Sequence, residues 1–411
     1  MGETGQLRTL ATDHARAGRW GDLLALEPDL RADGEFWASW WGPICAIARW
    51  HEGRADARDL LEECIAAGIY EPDFGTLFAK SFGTEPDWPT LHARIASSVP
   101  PPPVELIQWP CARPILALGL SRLDEAGEAA LAARLPESQA RVVGSLATAE
   151  LLLGWVTGRW RHSGSSHDES QDANIILDRV KRGERFACRE YTVVLTQALN
   201  AVQIPARPIT LLRRDHHAGI GAAHAVTEAW IDDLGKWALF DGQNGAVWRN
   251  TDGIPLSALE LQHRYERADR PEFSGSGPNF DAAGAAAWFG FFHTVSVTDT
   301  LAWSAGPFVP IRDRTAIIES RQLVYTTADV APDLAAIRTG VADREGPALV
   351  FTTDHPYATG FEVTDAERRA TCVPAGQPFP LAREPGEYRL KVAAMTRYGT
   401  LTPQPLHYRI R

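Results

Sequence analysis

FACREYTVVLTQALNAVQIPAR, residues 186–207, is the stretch on which the interpretation of the chain depends. Apolar residues recur at helical spacing after Cys188, so the cysteine is predicted to lie in the first turn of a helix. Unpaired backbone N–H groups and the helix dipole lower a thiol pKa there and favour the nucleophilic thiolate. Gly183 and Arg185 are expected to allow a tight turn and to add positive field. A buried cysteine that fills a helix interface is the alternative.

The segment after this helix is predicted to form three strands, of which the last two pair. A first strand covers 208–212, and HAVTEAWI at 224–231 and WALFD at 237–241 form two more strands joined by the turn DDLG at 232–235. Antiparallel pairing would bring Asp241 beside His224. A carboxylate there would fix the imidazole tautomer, and the imidazole could take the proton from Cys188.

These segments together resemble the core of the transglutaminase-like superfamily. The resemblance rests on FACREY, on LNAVQIPAR, on His224 with Glu228 four residues later, and on KWALFD, and it extends back to about residue 140. It implies a papain-like triad of Cys188, His224 and Asp241 on an α+β core. It also implies that Cys188 attacks an acyl donor and forms a thioester.

A fourth site residue follows from the same resemblance. GRW at 158–160 is similar to the segment in which animal-type transglutaminases carry a tryptophan whose indole N–H stabilises the oxyanion. Trp160 is therefore the candidate for that role, with the backbone N–H of Cys188 as the second donor. Trp155 is the competing candidate, and a packed aromatic residue at a helix end is the alternative interpretation of Trp160.

The sequence departs from the family pattern at two places. Val226 stands where many members have an aromatic residue two positions after the histidine. Asp241 is followed by Gly242, Gln243 and Asn244 rather than by the usual proline or threonine context. Neither departure replaces a predicted triad residue, but the substrate wall is expected to be unusual.

The fold class predicted from the pattern is multidomain α+β. The three domains are N-terminal all-α helical hairpins at 1–99, a central transglutaminase-like α+β core at 104–311 and a small C-terminal β-sandwich at 312–411. Four consecutive prolines at 100–103 form a stiff boundary, because they cannot be helical. In the core, helices are predicted at 121–135, 140–161 and 172–182.

The outer domains carry weaker resemblances. The first is similar to tetratricopeptide-type hairpins, which implies a protein partner, although a helical domain that only packs on the core is the alternative. The last resembles an immunoglobulin or fibronectin-type module, because short alternating strands are separated by turn residues.

Composition excludes several classes of function. A net charge of -11 argues against nucleic acid as the partner, since that affinity comes from Lys and Arg clusters. No apolar run is long enough for a membrane span, and residues 1–20 lack a secretory signal, so a cytoplasmic location is expected. The 5 cysteines contain no CxxC pair, which fits neither a disulfide framework nor a zinc thiolate site.

No cofactor and no metal is predicted. His162, His167, His216 and His217 have no fixed ligand spacing and no partner cysteines or carboxylates. The glycines at 219–221 lack the context of a phosphate loop and are expected to form a flexible lid over His224.

The resulting hypothesis is a cysteine-dependent enzyme that acts on a peptide, protein or small acyl substrate through a Cys188 thioester. Hydrolysis by a peptidase or amidase is favoured over transfer to an amine by a transglutaminase or amide synthase. A noncatalytic binding or scaffold protein built on the same core is the alternative from a different class. The sequence does not distinguish among the substrates.

Overall fold

The computed structural model divides the chain into two compact units, residues 1–103 and 104–411. Among the helices that it describes, none combines the length and the apolar character needed to span a bilayer. The described residues are 3–32, 37–67, 74–98, 104–115, 118–138, 142–163, 167–215, 221–297, 301–304, 322–323, 330–342, 348–382 and 384–411.

The first unit is built from helices around one apolar core. They are α1 (Glu3–Arg16), α2 (Trp20–Ala25), α3 (Glu27–Ala32), α4 (Gly42–His51), α5 (Ala57–Ala67), α6 (Phe74–Phe82) and α7 (Trp88–Ser98). Helices α4 and α5 approach so closely that a side chain on Gly42 would overlap the sulfur of Cys64. The helical content agrees with the sequence, whereas tetratricopeptide-type pairing stays a prediction. The proline boundary at 100–103 lies outside the described residues.

The second unit contains a mixed sheet that carries the predicted strand pair. Its spatial order is β6-β5-β4-β3-β2-β7-β8-β9, with antiparallel pairing except between β8 and β9. The strands are β2 (Ala206–Leu212), β3 (Ala223–Ile231), β4 (Lys236–Asp241), β5 (Ala246–Arg249), β6 (Glu272–Gly275), β7 (Thr294–Val297), β8 (Leu301–Ser304) and β9 (Gln322–Leu323). The strand β1 (Val104–Gln108) belongs to another sheet.

Helices cover this sheet on both faces. One face packs on a core formed with α8 (Glu125–Ala132), α9 (Ser145–Thr157), α10 (Ala173–Lys181) and α11 (Cys188–Ala201). The other face packs on α12 (Ala258–Glu266) and α13 (Ala285–Phe289). Alternation along β3 sends Ala229 and Ile231 to the first core and Val226 to the second. Burial on both faces fixes the register of the central strands, and hence of His224.

The helices predicted at 121–135 and 140–161 are shorter at both ends in the structure, where α8 covers Glu125–Ala132 and α9 covers Ser145–Thr157. Helix α9 begins at Ser145 because Gly144 has a φ of 94°, in the left-handed region that favours glycine. The backbone N–H of Leu146 donates to Oδ2 of Asp233 at 2.8 Å, so a side chain from the β3–β4 turn caps the helix. Val143, which falls within the helix predicted at 140–161, lies before the helix and is 93% exposed.

The C-terminal residues form two antiparallel sheets that share one apolar core, and the immunoglobulin likeness stays a prediction. The first has the order β1-β17-β15-β12-β13 with β16 on β15, and the second has the order β10-β11-β14. The strands are β10 (Ile337–Ala342), β11 (Ala348–Thr353), β12 (Gly360–Thr364), β13 (Ala370–Pro374), β14 (Pro378–Pro380), β15 (Gly386–Thr396), β16 (Gly399–Thr400) and β17 (Gln404–Ile410).

The C-terminal sheets begin earlier in the chain than the sequence suggested. Strand β1 pairs with β17, with Val104 opposite Ile410, so residues 104–108 belong to this module rather than to the central core. The module also bonds to the β3–β4 turn, because Thr396 donates to Asp232 at 2.6 Å. These contacts join the module to the mixed sheet within one unit.

A buried ion pair lies across β2 and β3. Arg207 and Glu228 are register partners whose side chains are each 1% exposed. The guanidinium donates to Oε2 of Glu228 at 3.0 Å and 2.7 Å, and Oε1 accepts the N–H of Ala258 at 2.8 Å. Glu228 thus holds the start of α12 against the sheet, and Arg207 neutralises its charge. Both residues belong to the segments on which the family resemblance rests.

We predict that Glu228→Gln lowers the free energy of unfolding of the 104–411 unit by about 3–5 kcal/mol, because it leaves a buried guanidinium without its counter-charge. The double variant Arg207→Met with Glu228→Leu should recover part of that loss, since it removes both charges but leaves the N–H of Ala258 without its acceptor. Urea unfolding followed by tryptophan fluorescence measures both changes. A loss below about 1 kcal/mol for Glu228→Gln, the size seen for exposed pairs, would contradict this account.

Candidate active site

Cys188 is the first residue of α11, as the sequence predicted. Ala187 precedes it in an extended conformation and makes no side-chain cap, so no side chain at the cap position occupies the first-turn N–H groups beside the sulfur. Gly183 has a φ of 93° and turns the chain into this approach. The thiol is partly exposed, whereas Phe186 and Tyr191 on either side are fully buried. The nucleophile therefore sits on a rigid element and is partly accessible to solvent.

His224 and Asp241 lie together on neighbouring strands. Thr227 pairs with Phe240, and one further step of that register puts Val226 opposite Asp241, so His224 is the diagonal neighbour on the same face. Nε2 of His224 is 2.9 Å from Oδ2 of Asp241, and the two side chains are 5% and 3% exposed. Antiparallel pairing thus brings the two residues into contact.

Asn244 holds the carboxylate of Asp241. Its backbone N–H donates to Oδ1 at 3.1 Å and its Nδ2 donates to Oδ2 at 2.8 Å. Both carboxylate oxygens therefore have donors that fix the direction in which the group faces His224. The sequence marked Asn244 only as an unusual neighbour of Asp241, although an asparagine three residues after an aspartate in a turn is a signal for such a bond.

The three side chains shift one another's pKa values. Burial raises the pKa of Cys188, but the hydrogen bond and charge of His224 and the N–H of Ala225 outweigh it, so the net pKa is below its usual value. Burial lowers the pKa of His224, and the Asp241 carboxylate overrides this and raises it. Burial raises the pKa of Asp241, and His224 and Asn244 bring it below its ordinary value. This electrostatic environment favours a thiolate beside an imidazolium.

A cleft opens beside the thiol. It has a volume of about 400 Å³ and is lined by Cys188, His224 and neighbouring polar and apolar residues of α11, β2 and β3. Because Nε2 of His224 is hydrogen-bonded to Asp241, Nδ1 is the ring nitrogen that can exchange a proton with Cys188. A carbonyl carbon in this cleft could reach both the sulfur and the imidazole.

Asn279 ties three segments around the start of α11. Its Nδ2 donates to the Tyr191 hydroxyl at 3.2 Å and to the Gln243 carbonyl at 2.9 Å, and its Oδ1 accepts the N–H of His162 at 3.1 Å. Gly242 lies against α11 as well, since a Cβ there would be 3.3 Å from Tyr191. The Gly-Gln-Asn sequence after Asp241 therefore has a packing reason. No local pattern in the sequence could have identified Asn279.

Trp160 lies behind the nucleophile and is 6% exposed. Its indole N–H donates to the carbonyl of Phe186 at 3.2 Å, and its ring stacks on Tyr191 at 4.1 Å between centroids. The donor assigned to the oxyanion is thus engaged two residues before Cys188, and the side chain supports the turn into α11. Trp155 does not line the cleft, and the guanidinium of Arg159 lies over its ring.

Aromatic rings contact His224 from the segment after β6. Trp288 and Phe291 lie 4.6 Å and 5.8 Å from the imidazole between centroids. Val226, where the family pattern has an aromatic residue, is instead 1% exposed in the core under α12 and α13. The wall next to the histidine is therefore supplied from a distant part of the chain.

The other predicted features lie partly beyond the described residues. His216, His217 and two of the three lid positions, 219 and 220, fall outside them. Within the described part of the chain, no three His, Cys, Asp or Glu side chains gather as metal ligands. His162 lies close enough to the site that its pKa is lowered by burial and then by the charge of His224.

Comparison with known proteins places the described site inside a recognised domain. Residues 130–242 match the family model of the transglutaminase-like superfamily, and this range contains Cys188, His224 and Asp241. Cysteine-dependent catalysis is thus supported at the level of the superfamily.

Other comparisons add little. A comparison with curated proteins found no match. A crystal structure from Cytophaga hutchinsonii, named "Putative Cysteine Protease", has 16% sequence identity and a TM-score of 0.26, and the alignment covers 39% of this chain and 52% of that chain. The chain thus spans about half the length of that protein, and the low similarity supports no inference about the site.

We predict that iodoacetamide alkylates Cys188 with a half-maximal rate at a pH below the ordinary thiol pKa. His224→Ala should move that midpoint above the ordinary value, because burial raises the pKa once the imidazole is gone, and should slow labelling at pH 7 about tenfold or more. Peptide mapping by mass spectrometry measures each cysteine separately.

Two pairs of cysteines serve as internal controls. Cys111 and Cys372 are exposed and should label equally in both proteins. Cys45 and Cys64 should stay unlabelled in the native state, because burial raises the pKa of each to about 12. An unchanged pH profile at Cys188 in His224→Ala would remove His224 from the site.

Proposed function

We propose that the protein is a cysteine-dependent enzyme that transfers the acyl group of an amide or related donor through a thioester on Cys188, with water as the acceptor. The observation that carries this proposal is the buried hydrogen bond between His224 and Asp241 at the edge of an open cleft that Cys188 and His224 both line. His224 also lowers the pKa of Cys188. The family match over 130–242 supports it.

The first half of the reaction forms the thioester. The Cys188 thiolate attacks the carbonyl carbon, and the charge that develops on its oxygen is stabilised by the backbone N–H of Cys188 at the start of α11. His224 then gives its proton to the leaving nitrogen. The carbon–nitrogen bond breaks, the amine departs, and the acyl group remains on the sulfur.

The second half regenerates the enzyme. Neutral His224 takes a proton from water while the water oxygen attacks the thioester carbonyl. The carbon–sulfur bond breaks, the carboxylic acid leaves, and thiolate and imidazolium are restored. Asp241 keeps the imidazole oriented through both halves and stabilises its charged form, and Asn244 keeps Asp241 in place.

The lining of the cleft supports water as the acceptor. The cleft is open to solvent, and its apolar lining is interrupted by hydroxyl and amide side chains, which are Ser121, Gln171, Thr192, Thr196 and Thr210. Transfer to an amine needs a site that excludes water, because water competes at high concentration for the thioester. We therefore propose peptidase or amidase activity.

We predict that the protein releases products from a pool of peptides made by proteolytic digestion of a cell extract. In water enriched in oxygen-18, each new carboxylate should carry the heavy isotope, which mass spectrometry detects. Cys188→Ala should lower product formation at least about 10³-fold, because no other group can form the thioester.

The same experiment includes a primary amine at millimolar concentration. If amine-conjugated products form in place of carboxylates, the activity is transfer to an amine and not hydrolysis. Products that form equally with Cys188→Ala would contradict thioester chemistry. Binding of peptides without any Cys188-dependent product would favour the noncatalytic alternative.

A further inference from the structure

The cleft beside Cys188 contains one positive side chain that the proposed reaction does not use. Arg189 follows the nucleophile directly, lines the same cleft as Cys188 and His224, and is exposed. Among the described residues, no hydrogen bond or ion pair involves its guanidinium. It therefore presents all its donors to the cleft and the solvent.

The surroundings make this cation distinctive. The chain has a net charge of -11, but none of the described lining residues is Asp or Glu. Glu190, the next residue, is 1% exposed, its Oε1 accepts the N–H of Asp168 at 3.0 Å, and it does not line the cleft. Arg189 is thus the only Arg, Lys, Asp or Glu among the described residues that line the cleft of this acidic protein.

The position of Arg189 on its helix also favours an anionic ligand. The first turn of α11 lies at the positive end of the helix dipole, where a cation is unfavourable and an anion is favourable. Arg189 does not stabilise the helix at this position. An anion bound there would interact favourably with both the guanidinium and the dipole.

We propose that Arg189 binds a carboxylate of the acyl donor, so that the substrate carries an Asp or Glu side chain one or two residues from the reacting carbonyl. Because Arg189 is adjacent to Cys188 in the chain and lines the same cleft, and because an extended substrate residue spans only about 3.3–3.6 Å, we place the acidic side chain within two residues of the reacting carbonyl. A guanidinium donates two parallel hydrogen bonds, one to each oxygen of a carboxylate. This inference rests on the proposed function and gives its substrate class.

The test compares two alkylating reagents of nearly equal size, anionic iodoacetate and neutral iodoacetamide, at Cys188. The rate with iodoacetate divided by the rate with iodoacetamide should fall about tenfold in Arg189→Gln relative to the wild type. It should fall further in Arg189→Glu. Arg189→Lys should keep most of the ratio, since it keeps the charge. High salt should reduce the wild-type ratio toward that of Arg189→Gln.

Arg185→Gln is the matched control, because Arg185 is exposed three residues before Cys188 and does not line the cleft. If Arg185→Gln lowers the ratio as much as Arg189→Gln does, the effect comes from the overall positive charge near Cys188 and not from a contact in the cleft, and the inference fails. An equal ratio in the wild type and Arg189→Gln also overturns it, while a Cys188 that remains reactive leaves the proposed function intact. A Cys188 that reacts with neither reagent faster than Cys111 overturns both.

The peptide pool gives the second readout. Wild-type products should be enriched in Asp or Glu within two residues of the isotope-labelled carboxylate, and Arg189→Gln should lose about tenfold of that enrichment. Arg189→Lys should restore it only in part, because a lysine cannot form the parallel pair of bonds. Products with no acidic enrichment in the wild type would overturn the inference and leave hydrolysis standing.

Discussion

The buried hydrogen bond between His224 and Asp241 is the interaction on which the site depends. It joins neighbouring strands at 2.9 Å, out of contact with bulk water, where a carboxylate stabilises an imidazolium far more than it would in solvent. The same arrangement lowers the pKa of Cys188 through the imidazole. Without the carboxylate, the imidazole would lose the main interaction that raises its pKa, and burial would favour its neutral form.

The fold keeps this bond in register with the nucleophile. Cys188 begins a helix that packs along the sheet, and the carbonyl of Phe186 just before it accepts hydrogen bonds from the indole of Trp160 and the N–H of Ser163. Asn279 then bonds the loop after Asp241 to Tyr191 on the same helix. Buried aromatic packing and a few polar bonds therefore hold the nucleophile and the base at a fixed separation.

The sequence predicted the local part of this arrangement and missed the distant part. Helical spacing after Cys188 and alternation in 224–231 and 237–241 are short-range patterns, so the helix start and the strand pair agree with the structure. The contacts of Asn279 and Trp288, and the bond that engages the Trp160 indole, join positions far apart in the chain, where spacing carries no information. The early start predicted for α9 failed for the same reason, since its cap is Asp233.

The most direct test of the central claim is to trap the acyl enzyme. The protein is mixed with the peptide pool, quenched in acid at short times and mapped by mass spectrometry. The account predicts an acyl adduct on Cys188 that neutral hydroxylamine removes, as expected of a thioester, and that is absent from His224→Ala at the same times. Product formation without any adduct on Cys188, or an adduct that forms equally without His224, would contradict it.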